Sequence, residues 1–264
     1  MRSPTRSPSP LVARLTSKGT RALPALLLAV AACAASGKGR EVTPRSAEVV
    51  PAQMSADLGR VSAASMVRHE LLGVAVRDAV IRGDLPAVRR GAFQLAGLDI
   101  FTPGPPDYEE RAVDFRHTAS SIAAAEDIRT AAHDVGQLAK ACSGCHARLN
   151  GPTRVNVHAA PFAKDDGPRG RMNLHAWAMN ELWNGMIGNS EPPWRAGAAT
   201  LADTDSGTLD LAPDKTPTAS PIHPLAKSVR DLGQRAVLTS DPDVRASIYG
   251  ELLATCASCH RRTR

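Results

Sequence analysis

The chain has 264 residues, 43% of them hydrophobic but only 3% aromatic, and carries 32 Lys and Arg against 26 Asp and Glu. Five of those cations, Arg2, Arg6, Arg14, Lys18 and Arg21, crowd the first 21 residues; without them 27 bases face 26 acids, a surplus of only +1. That near-neutral remainder excludes a nucleic-acid binder built on phosphate neutralisation. A core of Ala, Val and Leu with so few aromatic rings also leaves bulk to be supplied by something large and planar.

In chain order, the basic stretch is followed by an apolar run, ALPALLLAVAAC at 22–33. A basic start, an apolar stretch of this length and small residues at its end predict a secretory signal over 1–33, too short to span a membrane. Cys33 closes VAAC, which resembles a bacterial lipobox, in which the cysteine is lipidated and becomes the new N-terminus. The alternative is cleavage a few residues later at CAAS, with Cys33 discarded. Both predict export, to the periplasm, with a lipid anchor on a periplasm-facing membrane in the first case. Residues 34–53 are small and polar and read as a flexible tether.

Beyond the tether the chain repeats itself. SMVRHELLGVAVRDAVIRGDLPAVRRGAFQLA at 65–96 aligns without gaps to RMNLHAWAMNELWNGMIGNSEPPWRAGAATLA at 171–202, an offset of 106. Met66 pairs with Met172, His69 with His175 and Pro86 with Pro192, and His117 meets His223 at the same offset. The ends LAKACSGCH and LLATCASCH match at an offset of 114, which puts an eight-residue length difference between His117 and Cys142. A repeat this long implies two domains, 54–150 and 171–264, joined by a Gly-, Pro- and Asp-rich linker at 151–170.

Each copy reads as helical. Met66, His69, Leu72, Val76 and Val80 recur at three- and four-residue steps, as do Met172, His175, Ala178, Leu182 and Met186. Asp84 and Ser190, with Pro close behind, start a second helix. A third is expected at about 109–124 and 222–238, and a fourth begins near Asp127 and at TSDPD, 239–243. The expected class is all-α, with two tandem four-helix bundles.

Both copies end in C-x-x-C-H: CSGCH at 142–146 and CASCH at 256–260. This is the attachment signature of c-type haem. On a helix, positions i, i+3 and i+4 share a face, so two thiols and an imidazole converge. Cys142, Cys145, Cys256 and Cys259 would bond the vinyl groups of two haems, with His146 and His260 as proximal iron ligands. A thioredoxin-type pair would open a helix after a strand, whereas these close helices. A Cys₄ zinc site would need pairs 114 residues apart to meet and leaves both histidines unexplained. With 8 His in 264 residues, His after both pairs by chance has odds on the order of one in a thousand.

A four-helix domain with C-x-x-C-H on its last helix resembles class II c-type cytochromes, the cytochrome c′ group, over about 85–95 residues of each half. The resemblance implies two haem c groups and a sixth ligand from the start of the first helix, which would lie beside the end of the fourth. His69 and His175 are the first candidates, Met66 and Met172 the alternative, and an open or water-bound site the third. His117 and His223 are secondary candidates as caps or propionate partners. Two haem motifs in one chain point to an electron carrier rather than an enzyme, working with a redox partner protein, and the resemblance allows a homodimer. A di-haem peroxidase or a gas or redox sensor would need an open distal site. Trp177, Trp183 and Trp194, present only in the second copy, read as core, and His133 and His158 as surface residues.

Overall fold

The computed structural model describes residues 63–98, 106–148, 157–160, 168–203 and 222–263. The expected signal at 1–33 with Cys33, the tether at 34–53, most of the linker at 151–170 and nearly all of 203–220 lie outside the described residues. Among the described residues there are eight helices and no strand, so the class is all-α. None of these helices is long and apolar enough to cross a membrane. They are α1 Ala63–Ile81, α2 Leu85–Ala96, α3 Pro106–Ala124, α4 Ile128–Arg148, α5 Pro168–Ile187, α6 Glu191–Ala202, α7 His223–Val237 and α8 Pro242–Arg262.

The duplication is visible in the backbone. α1 ends in a Schellman turn: the Gly83 N–H donates to the Val80 carbonyl (2.8 Å) and the Asp84 N–H to Ala79 (3.0 Å). α5 ends the same way, Asn189 donating to Met186 (3.1 Å) and Ser190 to Gly185 (2.8 Å). The left-handed residue falls at the same repeat position, Gly83 with φ 70° and Asn189 with φ 46°. Asp84 then caps α2 through the Ala87 N–H; Ser190 holds the equivalent place, but its hydroxyl makes no capping bond. Asp127 and Asp241 cap α4 and α8 by accepting two backbone N–H bonds each.

The structure corrects one register. Tyr108, Ala112, Phe115 and Ile122 are among the buried residues of α3, and Ile222, Ala226, Val229 and Ala236 occupy the same steps at the start and along α7. The offset is therefore 114 here too, and the eight-residue difference lies before α3, not after it. His117 is exposed in the second half of α3, whereas His223 opens α7. Their alignment is a coincidence of residue type, and burial periodicity overrides it.

Helices adjacent in sequence pack in order within each copy, α1 on α2 on α3 on α4 and α5 on α6 on α7 on α8. Trp194, fully buried, pins α6 to α7 by donating to the Ala236 carbonyl (2.8 Å). The most extensive contact joins the copies, α4 against α8. These two run antiparallel: Gly136 meets Ala246, Gly250 meets His133, and Lys140 pairs with Asp243. Gly136 and Gly250 are equivalent positions, each preceded four residues earlier by an alanine, Ala132 and Ala246. A Cβ at Gly136 would collide with the Ala246 carbonyl, and one at Gly250 would stand 2.9 Å from the His133 Cα. Only hydrogen at both positions lets the backbones approach this closely. Each first helix then leans across to the other copy, α1 packing on α8 and α5 on α4 more than on its own last helix. One core results, drawing Val76, Leu95 and Val135 from one copy and Leu182, Trp194 and Leu253 from the other.

Candidate functional site

Each last helix presents its two thiols and imidazole near its C-terminal end, with the first helix of the same copy facing them. In the first copy Cys142 is buried and its Sγ lies 3.9 Å from Nε2 of His69. The His69 ring meets Phe115 of α3 edge to face at 4.6 Å. Burial, and then the nearby His146, depress the His69 pKa from 6.5 to about 4. In the second copy His175 is only 8% exposed and its Nε2 is buried with no partner. Burial, and then His260, depress its pKa to about 4 as well. Both imidazoles are therefore neutral at ordinary pH, the state in which a ring nitrogen can donate to a metal.

The motif histidine of the first copy is oriented by the second. His146 Nδ1 lies 2.9 Å from the carbonyl of Ile187, the last residue of α5. A carbonyl only accepts, so Nδ1 carries the hydrogen and Nε2 is left with its lone pair. At the other end of the molecule the turn after α1 abuts α8: a Cβ at Gly83 would lie 3.1 Å from Arg261 and 3.5 Å from the Ala257 carbonyl.

All four thiols are free. Burial first, and then the neighbouring thiol, push Cys142 and Cys256 up to about 12. Burial also raises Cys145 and Cys259, opposed by Arg111 and Arg262 respectively. A redox or nucleophilic cysteine needs the opposite, a depressed pKa in an electropositive setting. Among the described residues no three His, Cys, Asp or Glu side chains gather closely enough to hold a bare metal ion.

Of the other expected residues, Met172 is half-buried, one turn before His175, while the Met66 side chain lies outside the described residues. His133 is exposed, and so is His158, although its Nδ1 sits 2.7 Å from the fully buried Glu181. Trp183 and Trp194 are core residues, and Trp177 is half-buried, donating to the His158 carbonyl (3.2 Å). Sequence reasoning missed the α3 face. Tyr108 lies beside Cys145, and burial, helped by that thiol, raises it to about 12. At the same steps the second copy has Ile222 for Tyr108 and Leu225 for Arg111, so the first site is the more polar. The signal was the burial period of α3, obscured by aligning His117 to His223.

The chain matches no protein-family model, no curated protein and no solved structure.

One pH effect follows from these two imidazoles, His69 and His175. Their folded pKa values lie below the unfolded 6.5, so the unfolded chain binds more protons between pH 6.5 and 4. The stability these histidines contribute is full above pH 6.5 and falls towards pH 4, by about 2 kcal/mol for each. Urea unfolding at pH 7.5 and 4.5 should show this drop. His69→Phe with His175→Phe should flatten it, and a drop of the same size in the double variant would sink the assignment.

Proposed function

We propose that the chain is an exported di-haem c-type cytochrome, two tandem four-helix haem domains that carry single electrons. One observation carries this reading: in both copies a neutral first-helix histidine, half-buried at His69 and buried at His175, stands next to a C-x-x-C-H histidine at the same repeat position. The unpartnered Nε2 of His175 is an orphaned donor that an iron ligand bond would satisfy. The raised thiol pKa values suit cysteines held as thioethers rather than cycling as thiolates.

In this reading Cys142 and Cys145, and Cys256 and Cys259, hold one haem per copy. The four thiols would hold the groups through thioether bonds. His146 and His260 would be the proximal ligands and His69 and His175 the sixth, a bis-histidine set that tends towards lower potential than histidine with methionine. When bound, the iron supplies the one-electron couple. The protein's part would be to shield the group from water, to close its sixth position with a side chain, and to fix the His146 tautomer through the Ile187 carbonyl. Export to the periplasm, a lipid on Cys33 and a protein redox partner belong to the same proposal.

The test is expression with export and haem maturation. Two covalent haems per chain are expected by alkaline pyridine spectra, both six-coordinate and low-spin and indifferent to carbon monoxide. Binding of carbon monoxide at either site would favour the peroxidase or sensor reading instead, and a chain without covalent haem would end the proposal.

A further inference from the structure

The two C-x-x-C-H pockets lie at opposite ends of the α4–α8 pair. Cys142 and Cys256 each stand seven residues beyond the crossing near Val135 and Tyr249. At the rise of a helix that separates them by about 21 Å along the axis. What fills the midpoint differs from the aliphatic core around it. Arg77 of α1 and Trp183 of α5 occupy equivalent repeat positions and meet there, the guanidinium carbon 5.6 Å from the indole centroid. Tyr249 of α8 meets both, its ring 6.0 Å from that of Trp183 and its side chain within hydrogen-bonding reach of Arg77.

The three residues connect the pockets. The indole edge lies 3.5 Å from where Gly73 would carry a Cβ, one turn along α1 from His69. Tyr249 is two turns before Cys256 on the same face of α8, close enough that the thiol helps to raise its pKa, after burial. The run His69, Gly73, Trp183, Tyr249, Cys256 therefore spans from the distal side of the first site to the attachment side of the second.

We propose that Trp183 and Tyr249, with Arg77 against them, form the bridge through which electrons pass between the two pockets. The proposal rests on the di-haem reading. One electron leaves the reduced site and one arrives at the oxidised site; the bridge residues gain and lose none, and no proton moves. Tyr249 keeps its proton, since its hydroxyl donates to the Met179 carbonyl (3.3 Å) in the buried core. The Arg77 cation, only 5% exposed and paired with Asp78 at 2.7 Å, repels positive charge on the indole and so keeps it from being oxidised itself. Packing alone does not account for Trp183. Its Nε1 is buried without a partner, a cost that Phe or Leu would avoid.

The competing route runs through the hydrogen bond from His146 to Ile187 and along α5. Trp183→Leu distinguishes the two. In the half-reduced full-length protein, exchange between the haems is read from the paramagnetically shifted haem methyl NMR signals. Trp183→Leu should slow it about tenfold, while Trp183→Phe stays close to wild type. Haem content, low-spin optical spectra and both reduction midpoints should be unchanged in each. Equal exchange rates in Trp183→Leu and wild type overturn the bridge and leave the hydrogen-bonded route. If Trp183→Leu loses a haem, Tyr249→Leu is judged by the same criterion. A wild-type protein lacking two covalent haems overturns the di-haem reading itself, a result the haem count separates from failure of the bridge.

Discussion

Gly136→Ala should destabilise the folded chain by about 3 kcal/mol or more and loosen the contact between α4 and α8. The added methyl would point into the Ala246 carbonyl, a backbone atom that cannot rotate away as the end of a side chain could. Relief requires the two helices to separate, and with them the core that both copies share. Gly144, inside CSGCH on the same helix, is the control, because nothing lies within 4 Å of a Cβ there. Gly144→Ala should be neutral or stabilise by up to ~1 kcal/mol through helix propensity. Urea midpoints of the two variants should therefore move in opposite directions or differ severalfold in size. A Gly136→Ala midpoint within error of wild type would show that the crossing does not hold the copies together.

His175→Leu carries the largest expected functional effect, and on the proposed reading its sign differs between a haem-loaded and a haem-free chain. On the proposed di-haem reading it would remove the sixth ligand of the second site. That site should then lose its low-spin spectrum and gain carbon monoxide binding, while the first site stays low-spin and indifferent to carbon monoxide. In the haem-free chain the same change removes a buried nitrogen with no partner, so the fold should gain about 1–2 kcal/mol. His69→Leu should give the same spectral change at the first site but a smaller gain, since His69 is only half-buried and its Nε2 approaches the Cys142 sulfur. Retention of two low-spin haems in His175→Leu would assign the distal position to another residue, with Met172 next in line. A purely structural role for His175 could move stability but not the ligand-binding spectrum of one site alone.

The helices were legible because their signals are local. Three- and four-residue spacing of apolar side chains marks α1 and α5, and the aspartates at 84, 127 and 241 name three helix starts through bonds made within a few residues. The C-x-x-C-H face is local in the same sense. The pairing of His69 with Cys142 and His146 took one more step, that the first helix of a copy lies beside the end of the last, and the structure places them so. The match of His117 to His223 failed because identity at one position says nothing about which face of a helix is buried. The run of buried residues along α3 and α7 carries that information.

The duplication, the helices of the described residues and the C-x-x-C-H pattern that ends each copy were thus legible in the sequence, all properties of short stretches and their repetition. The tertiary structure alone decided how the copies are joined. Gly136 and Gly250 were readable as a matched pair, but a glycine in a helix does not name the backbone that will approach it. The same holds for the Ile187 carbonyl on His146 and for Arg77, Trp183 and Tyr249 at the midpoint. Those contacts join residues far apart in the chain, and which surfaces meet depends on the combined shape of whole helices, which no local spacing encodes.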